Sequence, residues 1–299
     1  MSTARRKPRN YEFLAKFTWY VPGIGGMFAL LAMLLVGALI GNLLSLPIMA
    51  ILPAEDAMQF ATLVSYPVMF IPAMIYASVK SHNASMNQEG VKMDNSNYGR
   101  TGGLLCALLV VLATLATAFC MDAVNAAMPP VPEALKYMLE GLTGGPVWIS
   151  LLCVSVFAPF FEEWLCRGMV LRGLLYRGIK PVWAVIISAA FFALIHLNPW
   201  QAVPAFALGC LFGYIYYKTG SLKLTMLMHC ANNTMAVIVS NISSLEDAEN
   251  WMDILPGASY WILFAAFIIM TALIINVFSR IETTSEKGSC ETVPSIFEQ

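Results

Sequence analysis

Residues 145–168 read GPVWISLLCVSVFAPFFEEWLCRG. A mostly apolar run, Gly145 to Phe160, leads into two adjacent carboxylates, Glu162 and Glu163, with an arginine one turn later at Arg167. The stretch is long enough and apolar enough to enter a bilayer. An ionisable group at membrane depth costs a few kcal/mol or more, so such a group marks a functional site by default. This one segment therefore sets two expectations: a helical membrane protein, and a polar site inside it.

The rest of the chain agrees. It has 299 residues, of which 59% are hydrophobic and 12% charged, about half the charged fraction of a soluble domain. Mean hydropathy is +0.69. Apolar segments recur at 18–46, 58–79, 102–121, 146–177, 182–197, 202–217, 222–240 and 259–278. The expected fold class is all-α, a polytopic transmembrane helical bundle of about eight spans. Pro159 is the expected kink in the fourth. The expected organisation is a basic cytoplasmic tail over 1–17, a transmembrane helical domain over 18–280, and a disordered cytoplasmic tail over 281–299. Residues 81–101, polar and rich in Asn and Ser, read as a mobile cytoplasmic loop.

Charge alternates between the connecting segments. Arg5, Arg6, Lys7, Arg9 and Lys16 precede the first span, and Glu55 and Asp56 follow it. Lys80, Lys92 and Arg100 come next, then Asp122, Glu133 and Glu140 with only Lys136 opposing. Arg172, Arg177 and Lys180 lie between spans four and five, Lys218 and Lys223 between six and seven, and Glu246, Asp247, Glu249 and Asp253 before the last. The positive-inside rule places both termini in the cytoplasm. Seven cysteines without C-x-x-C spacing read as free residues, not a disulfide framework.

Glu162 and Glu163 are the only acidic residues within the expected spans, and His196 and His229 are the histidines in apolar segments. Glu163 and Arg167 are spaced i, i+4 with the acid first, the favourable order for an ion pair on one helix. Glu162 lies about 100° round the helix from Glu163, which leaves it the freer carboxylate and turns it toward another helix. Spans four and five read as a hairpin about Gly178–Pro181. Glu162 and His196 lie at equal distances from that turn, which puts them at equal depth. Phe192 with His196, and His229 with Asn233, are i, i+4 pairs that each present one helix face. Taken alone, these residues give a membrane-embedded polar site without naming its reaction. A helix-gluing ion pair, a proton relay and a hydrolytic centre all fit them.

Three motifs in order narrow the choice: Glu-Glu-x-x-x-Arg at 162–167, Phe-x-x-x-His at 192–196 and His-x-x-x-Asn at 229–233. Together they resemble the CPBP family, which comprises CAAX prenyl endopeptidases and bacteriocin-processing or immunity proteins. The resemblance covers a core of about 145–242. It implies an intramembrane endopeptidase acting on a membrane-associated peptide or protein. Carried over, Glu162 and His196 would activate water, His229 and Asn233 would stabilise the oxyanion, and Glu163, Arg167 and Phe192 would support them. If a metal is used, Zn2+ on Glu162, His196 and His229 is the implied site; a metal-free glutamate mechanism is the rival. The resemblance also allows a non-catalytic scaffold or immunity protein, with a small transporter as a further class. The expected partners are the substrate and the lipid bilayer, with no nucleic acid. The expected location is a bacterial plasma membrane, crossed several times.

Overall fold

A computed structural model describes residues 13–87, 90–143, 146–242, 250–255, 257–283 and 292–293. Helices dominate: α1 Ile24–Ile51, α2 Ala54–Ala84, α3 Gly103–Ala126, α4 Glu133–Thr143, α5 Val147–Tyr176, α6 Pro181–Leu194, α7 Pro199–Thr219, α8 Leu222–Ser240, α9 Trp251–Ile254 and α10 Ala258–Ser279. The chain is an all-α polytopic membrane protein. A helix stands at each of the eight expected positions. Five of them, α1, α2, α3, α5 and α10, are long and apolar enough to cross a membrane. Helix α6 has 14 residues, about 21 Å of helix against a hydrocarbon core of about 30 Å. Helices α7 and α8 carry the polar residues of the interior instead of an unbroken apolar surface.

Segments of like charge meet at common ends. At one end Asn95 N–H donates to the Gly220 carbonyl (2.8 Å), Asn97 to Glu282 (2.7 Å) and Arg177 to Val21 (3.3 Å). At the other, Trp200 donates to the Pro129 carbonyl and Trp251 N–H to Asp122. The first end carries the Lys/Arg-rich connections, the second the acidic ones.

Helix α5 is the axis. Of its most apolar window, 56% is buried, against 11–33% for α1, α2, α3 and α10. Every residue from Trp164 to Leu171 is buried, as expected of a helix that other helices surround. The kink expected at Pro159 is part of a larger departure. The helix is α at Val147–Ser150, π at Leu151–Phe157, α at Ala158–Glu163 and π again at Trp164–Leu171. Pro159 lacks the N–H of a regular turn, and it stands two residues after the first widened stretch ends at Phe157. Such π turns recur at functional sites; here they bracket Glu162 and Glu163.

Where composition suggests a mobile loop over 81–101, the described residues of that segment pack into the fold. Residues 81–84 continue α2, and Val91 and Met93 are buried. Arg172, expected in a connecting loop, is 1% exposed. Its guanidinium donates to the carbonyls of Gly168 (2.7 Å), Val91 (2.5 Å), Tyr20 (2.7 Å) and Thr18 (3.3 Å). Arginine's five donors suit a cluster of backbone acceptors, and this one ties the 17–20 strand of chain and residues 90–93 to α5. The Tyr216 hydroxyl donates to the Met93 carbonyl, and Lys223 pairs with Asp94 at 2.8 Å. Gly90–Val91 also pairs antiparallel with Thr292–Val293; the rest of the 284–299 tail and residues 1–12 lie outside the described residues. Six cysteines, Cys106 to Cys230, are free.

Helices α1 and α2 approach through glycine. A Cβ at Gly37 would lie 2.0 Å from the Met69 carbonyl oxygen, and one at Gly41 would lie 2.6 Å from that of Ser65. Small residues at i, i+4 let membrane helices pack backbone to backbone. Gly37→Val is therefore expected to cost about 1–3 kcal/mol by overpacking. Thermal melting of the purified protein in detergent checks this against Leu39→Val on the lipid-facing side, where the residue is 67% exposed and no loss is expected.

Candidate active site

The site is assembled from five helices, α2, α5, α6, α7 and α8, and the turn after α6. Helix α5 supplies Glu162, Glu163 and Arg167. Glu163 and Arg167 form the i, i+4 pair expected from their spacing, Nη1 to Oε1 at 2.8 Å with both side chains fully buried. Arg167 also donates from Nη2 to the Gly209 carbonyl on α7 at 3.0 Å. Its guanidinium lies over Phe192 of α6 at 4.7 Å and Phe212 of α7 at 5.3 Å. Two aromatic faces, a carboxylate and a carbonyl thus replace water around a buried cation.

Glu163 is more than a partner for Arg167. His229 of α8 reaches the same oxygen, Nδ1 to Glu163 Oε1 at 3.1 Å. A carboxylate oxygen accepts, so Nδ1 carries the proton and Nε2 is directed elsewhere. Nε2 stands 3.8 Å from Glu162 Oε2. His229 therefore bridges the two acids.

Glu162 is 9% exposed. Its Oε1 accepts a hydrogen bond from the Tyr66 hydroxyl of α2. Its Oε2, like Oε2 of Glu163, has no hydrogen-bond partner among the described residues. The hairpin count pointed Glu162 at His196. Its direct neighbours are instead Tyr66 and His229. Among the described residues no ion pair or hydrogen bond joins Glu162 to His196.

His196 lies in a turn, not within a helix. Helix α6 ends at Leu194, and Leu197 has φ 57°, a left-handed conformation unfavourable for a non-glycine residue. The cause is in the sequence. Pro199 opens α7 and Asn198 caps it, accepting from Gln201 N–H at 2.9 Å; the residue before proline resists helix. Asn198 Nδ2 also donates to the His196 carbonyl at 2.9 Å. His196 keeps the i, i+4 relation to Phe192: its Nδ1 bonds the Phe192 carbonyl at 2.8 Å. A carbonyl only accepts, so Nδ1 is the protonated nitrogen and Nε2 the basic one.

Phe192 joins the parts. Its face covers Arg167, and its ring packs edge-on with His196 at 5.0 Å and with His229 at 5.4 Å. The two imidazoles are thus separated by no more than the sum of those distances. Asn233, one turn beyond His229, donates from Nδ2 to the Val154 carbonyl at 2.7 Å, in the first π stretch of α5.

Tyr66, Phe212, Gly209 and Asn198 escaped the sequence reading. The Asn198–Pro199 pair was a legible helix start. Tyr66 and Phe212 are single aromatic residues in apolar spans, and only the packing of α2 and α7 on α5 singles them out. As for zinc, no group of three or more His, Cys, Asp or Glu among the described residues is arranged to hold a metal ion. The Glu163 oxygen that faces His229 is already engaged by Arg167.

Fold and site together define a helical membrane protein with a buried Glu/His/Arg centre. Residues 144–235 match the model of the family described as type II CAAX prenyl endopeptidase Rce1-like, and the three motifs at 162–167, 192–196 and 229–233 all lie within that segment. A protein of Bacillus subtilis (strain 168) named "Putative membrane peptidase YdiL" is 25% identical over 121 residues, 40% of this chain. The chain spans about half of that relative, 47% of its length. No solved structure matches the chain.

Proposed function

We propose that the protein is an intramembrane endopeptidase that hydrolyses a peptide bond of a membrane-associated peptide or protein. The observation that carries the reading is Glu162. Its carboxylate is buried, is not neutralised by Arg167, and directs an unbonded oxygen toward an imidazole.

The chemistry follows from the donors and acceptors on hand. Glu162 Oε2 accepts a proton as a water oxygen bonds to the scissile carbonyl carbon. His196, its Nδ1–H committed to Phe192, offers a basic Nε2 to the same water. The carbonyl oxygen becomes an oxyanion. His229, its Nδ1 turned to Glu163, gives it a proton-bearing Nε2 when the imidazole is charged. Asn233 has two amide hydrogens, of which Val154 takes one, leaving the second for the oxyanion. Donors fixed in a water-poor site are worth more than in bulk water. The proton on Glu162 then passes to the amide nitrogen, and the C–N bond breaks.

Wild-type protein in liposomes, given membrane-tethered peptides, is expected to release fragments with defined new termini by mass spectrometry, at a rate unchanged by a zinc chelator. Loss of cleavage with chelator, restored by Zn2+, would return the metal to Glu162, His196 and His229. Absence of cleavage across broad peptide libraries would overturn the protease reading in favour of a scaffold.

A further inference from the structure

The residues matched to the protease family, 144–235, exclude α2, yet α2 reaches the centre of the site. The Tyr66 hydroxyl has one proton to donate, and it goes to Glu162 Oε1. That bond makes the two oxygens of Glu162 unequal. Oε1 is held from α2, whereas Oε2 has no hydrogen-bond partner among the described residues and faces His229 Nε2 at 3.8 Å. A carboxylate free to spin about its last bond would present either oxygen in any orientation; one tethered by Oε1 presents Oε2.

The tether is itself held in place. The Tyr66 ring packs on Phe70 at 5.6 Å, and Phe70 stacks on Phe161 at 5.0 Å and 12°. Phe161 immediately precedes Glu162, so one aromatic chain fixes both ends of the hydrogen bond. Two turns earlier on α2, Gln59 Nε2 donates to Ser150 Oγ of α5 at 2.9 Å. On the far side, Gly41 and Gly37 draw α1 against Ser65 and Met69, the positions that flank Tyr66.

We infer that Tyr66 is a positioning residue of the proposed hydrolytic site: by holding Oε1 of Glu162 it assigns Oε2 to take the proton from water. The inference rests on the protease reading, and it extends the catalytic unit beyond the matched segment to α2.

Tyr66→Phe tests it, since the ring and its packing remain and only the hydroxyl is lost. Removing a hydrogen bond to a charged group is expected to lower kcat about 10- to 100-fold, with KM and melting temperature unchanged. A purely structural role would lower the melting temperature and the active fraction and leave kcat per active molecule intact. A kcat cycle with Glu162→Gln adds a second readout: once Oε2 no longer takes the proton, Tyr66→Phe should cost little further in the double variant. Additive losses of kcat, or a Tyr66→Phe enzyme with wild-type kcat, would overturn the inference. If wild type cleaves, Glu162→Gln does not, and Tyr66→Phe matches wild type, the protease reading stands and Tyr66 alone fails. If wild type cleaves nothing, or Glu162→Gln cleaves normally, the protease reading itself fails.

Discussion

Glu162→Gln is expected to lower kcat/KM by about 10²- to 10⁴-fold, the range for loss of a general base, while leaving the melting temperature close to that of wild type. The substitution preserves shape and leaves an amide oxygen to accept from Tyr66. What it removes is a charge, and the structure makes that removal cheap for folding. Glu162 makes no ion pair with Arg167, and its contact with His229 is a long 3.8 Å. Glu163 is different. It shares one oxygen between Arg167 and His229, so neutralising it would leave a buried guanidinium without its counter-charge. Cleavage assays in liposomes, read beside thermal melts, separate the two acids. A Glu162→Gln protein that cleaves within threefold of wild type would remove Glu162 from the chemistry. One that melts as low as a charge-broken variant would make Glu162 a structural residue.

The difference between the two glutamates was partly legible in the sequence. Spacing alone pairs Glu163 with Arg167 and leaves Glu162 over, because i, i+4 neighbours meet on a helix and i, i+5 neighbours do not. The long apolar segments were equally readable, and a helix stands at each of them. The destination of Glu162 was not. Counting residues from a turn gives depth along a bundle but no azimuth, and α5 breaks the count by passing through two π stretches that no 3.6-residue period registers. Depth therefore suggested His196, whereas azimuth delivers Tyr66 and His229. Residues 81–101 misled for another reason. Composition measures what side chains prefer, but that segment is held largely through its backbone, with Val91 and Met93 carbonyls accepting from Arg172 and Tyr216. The Phe-x-x-x-His motif acquires a physical sense that spacing could not give it: Phe192 is at once the platform under Arg167 and the edge between two imidazoles.

Arg167→Met is expected to be the most destabilising of these changes, by about 3–5 kcal/mol, because it breaks a buried pair and leaves one charge behind. Methionine keeps much of the volume and can lie against Phe192 and Phe212, so the loss is electrostatic more than steric. Glu163 would keep only His229, and the Gly209 carbonyl would lose the donor it has at 3.0 Å. Arg167→Lys should recover only part of the stability. Its ammonium lacks the fixed fork that serves Glu163 Oε1 and Gly209 from two nitrogens, and the planar group that lies over both rings. Closing the cycle distinguishes this from a packing defect. In the double variant Glu163→Gln/Arg167→Met both charges are gone, and replacing a whole buried pair is often far less costly than halving it. The double variant should therefore melt above Arg167→Met, even though it carries one more substitution. If it melts below, or if Arg167→Met melts within about 2 °C of wild type, equivalent to under ~1 kcal/mol for a domain of this size, the ion pair is not what holds α5 to α6, α7 and α8. In that case Arg167 would matter to the site by steering Glu163 toward His229, and the loss would appear in cleavage and not in stability.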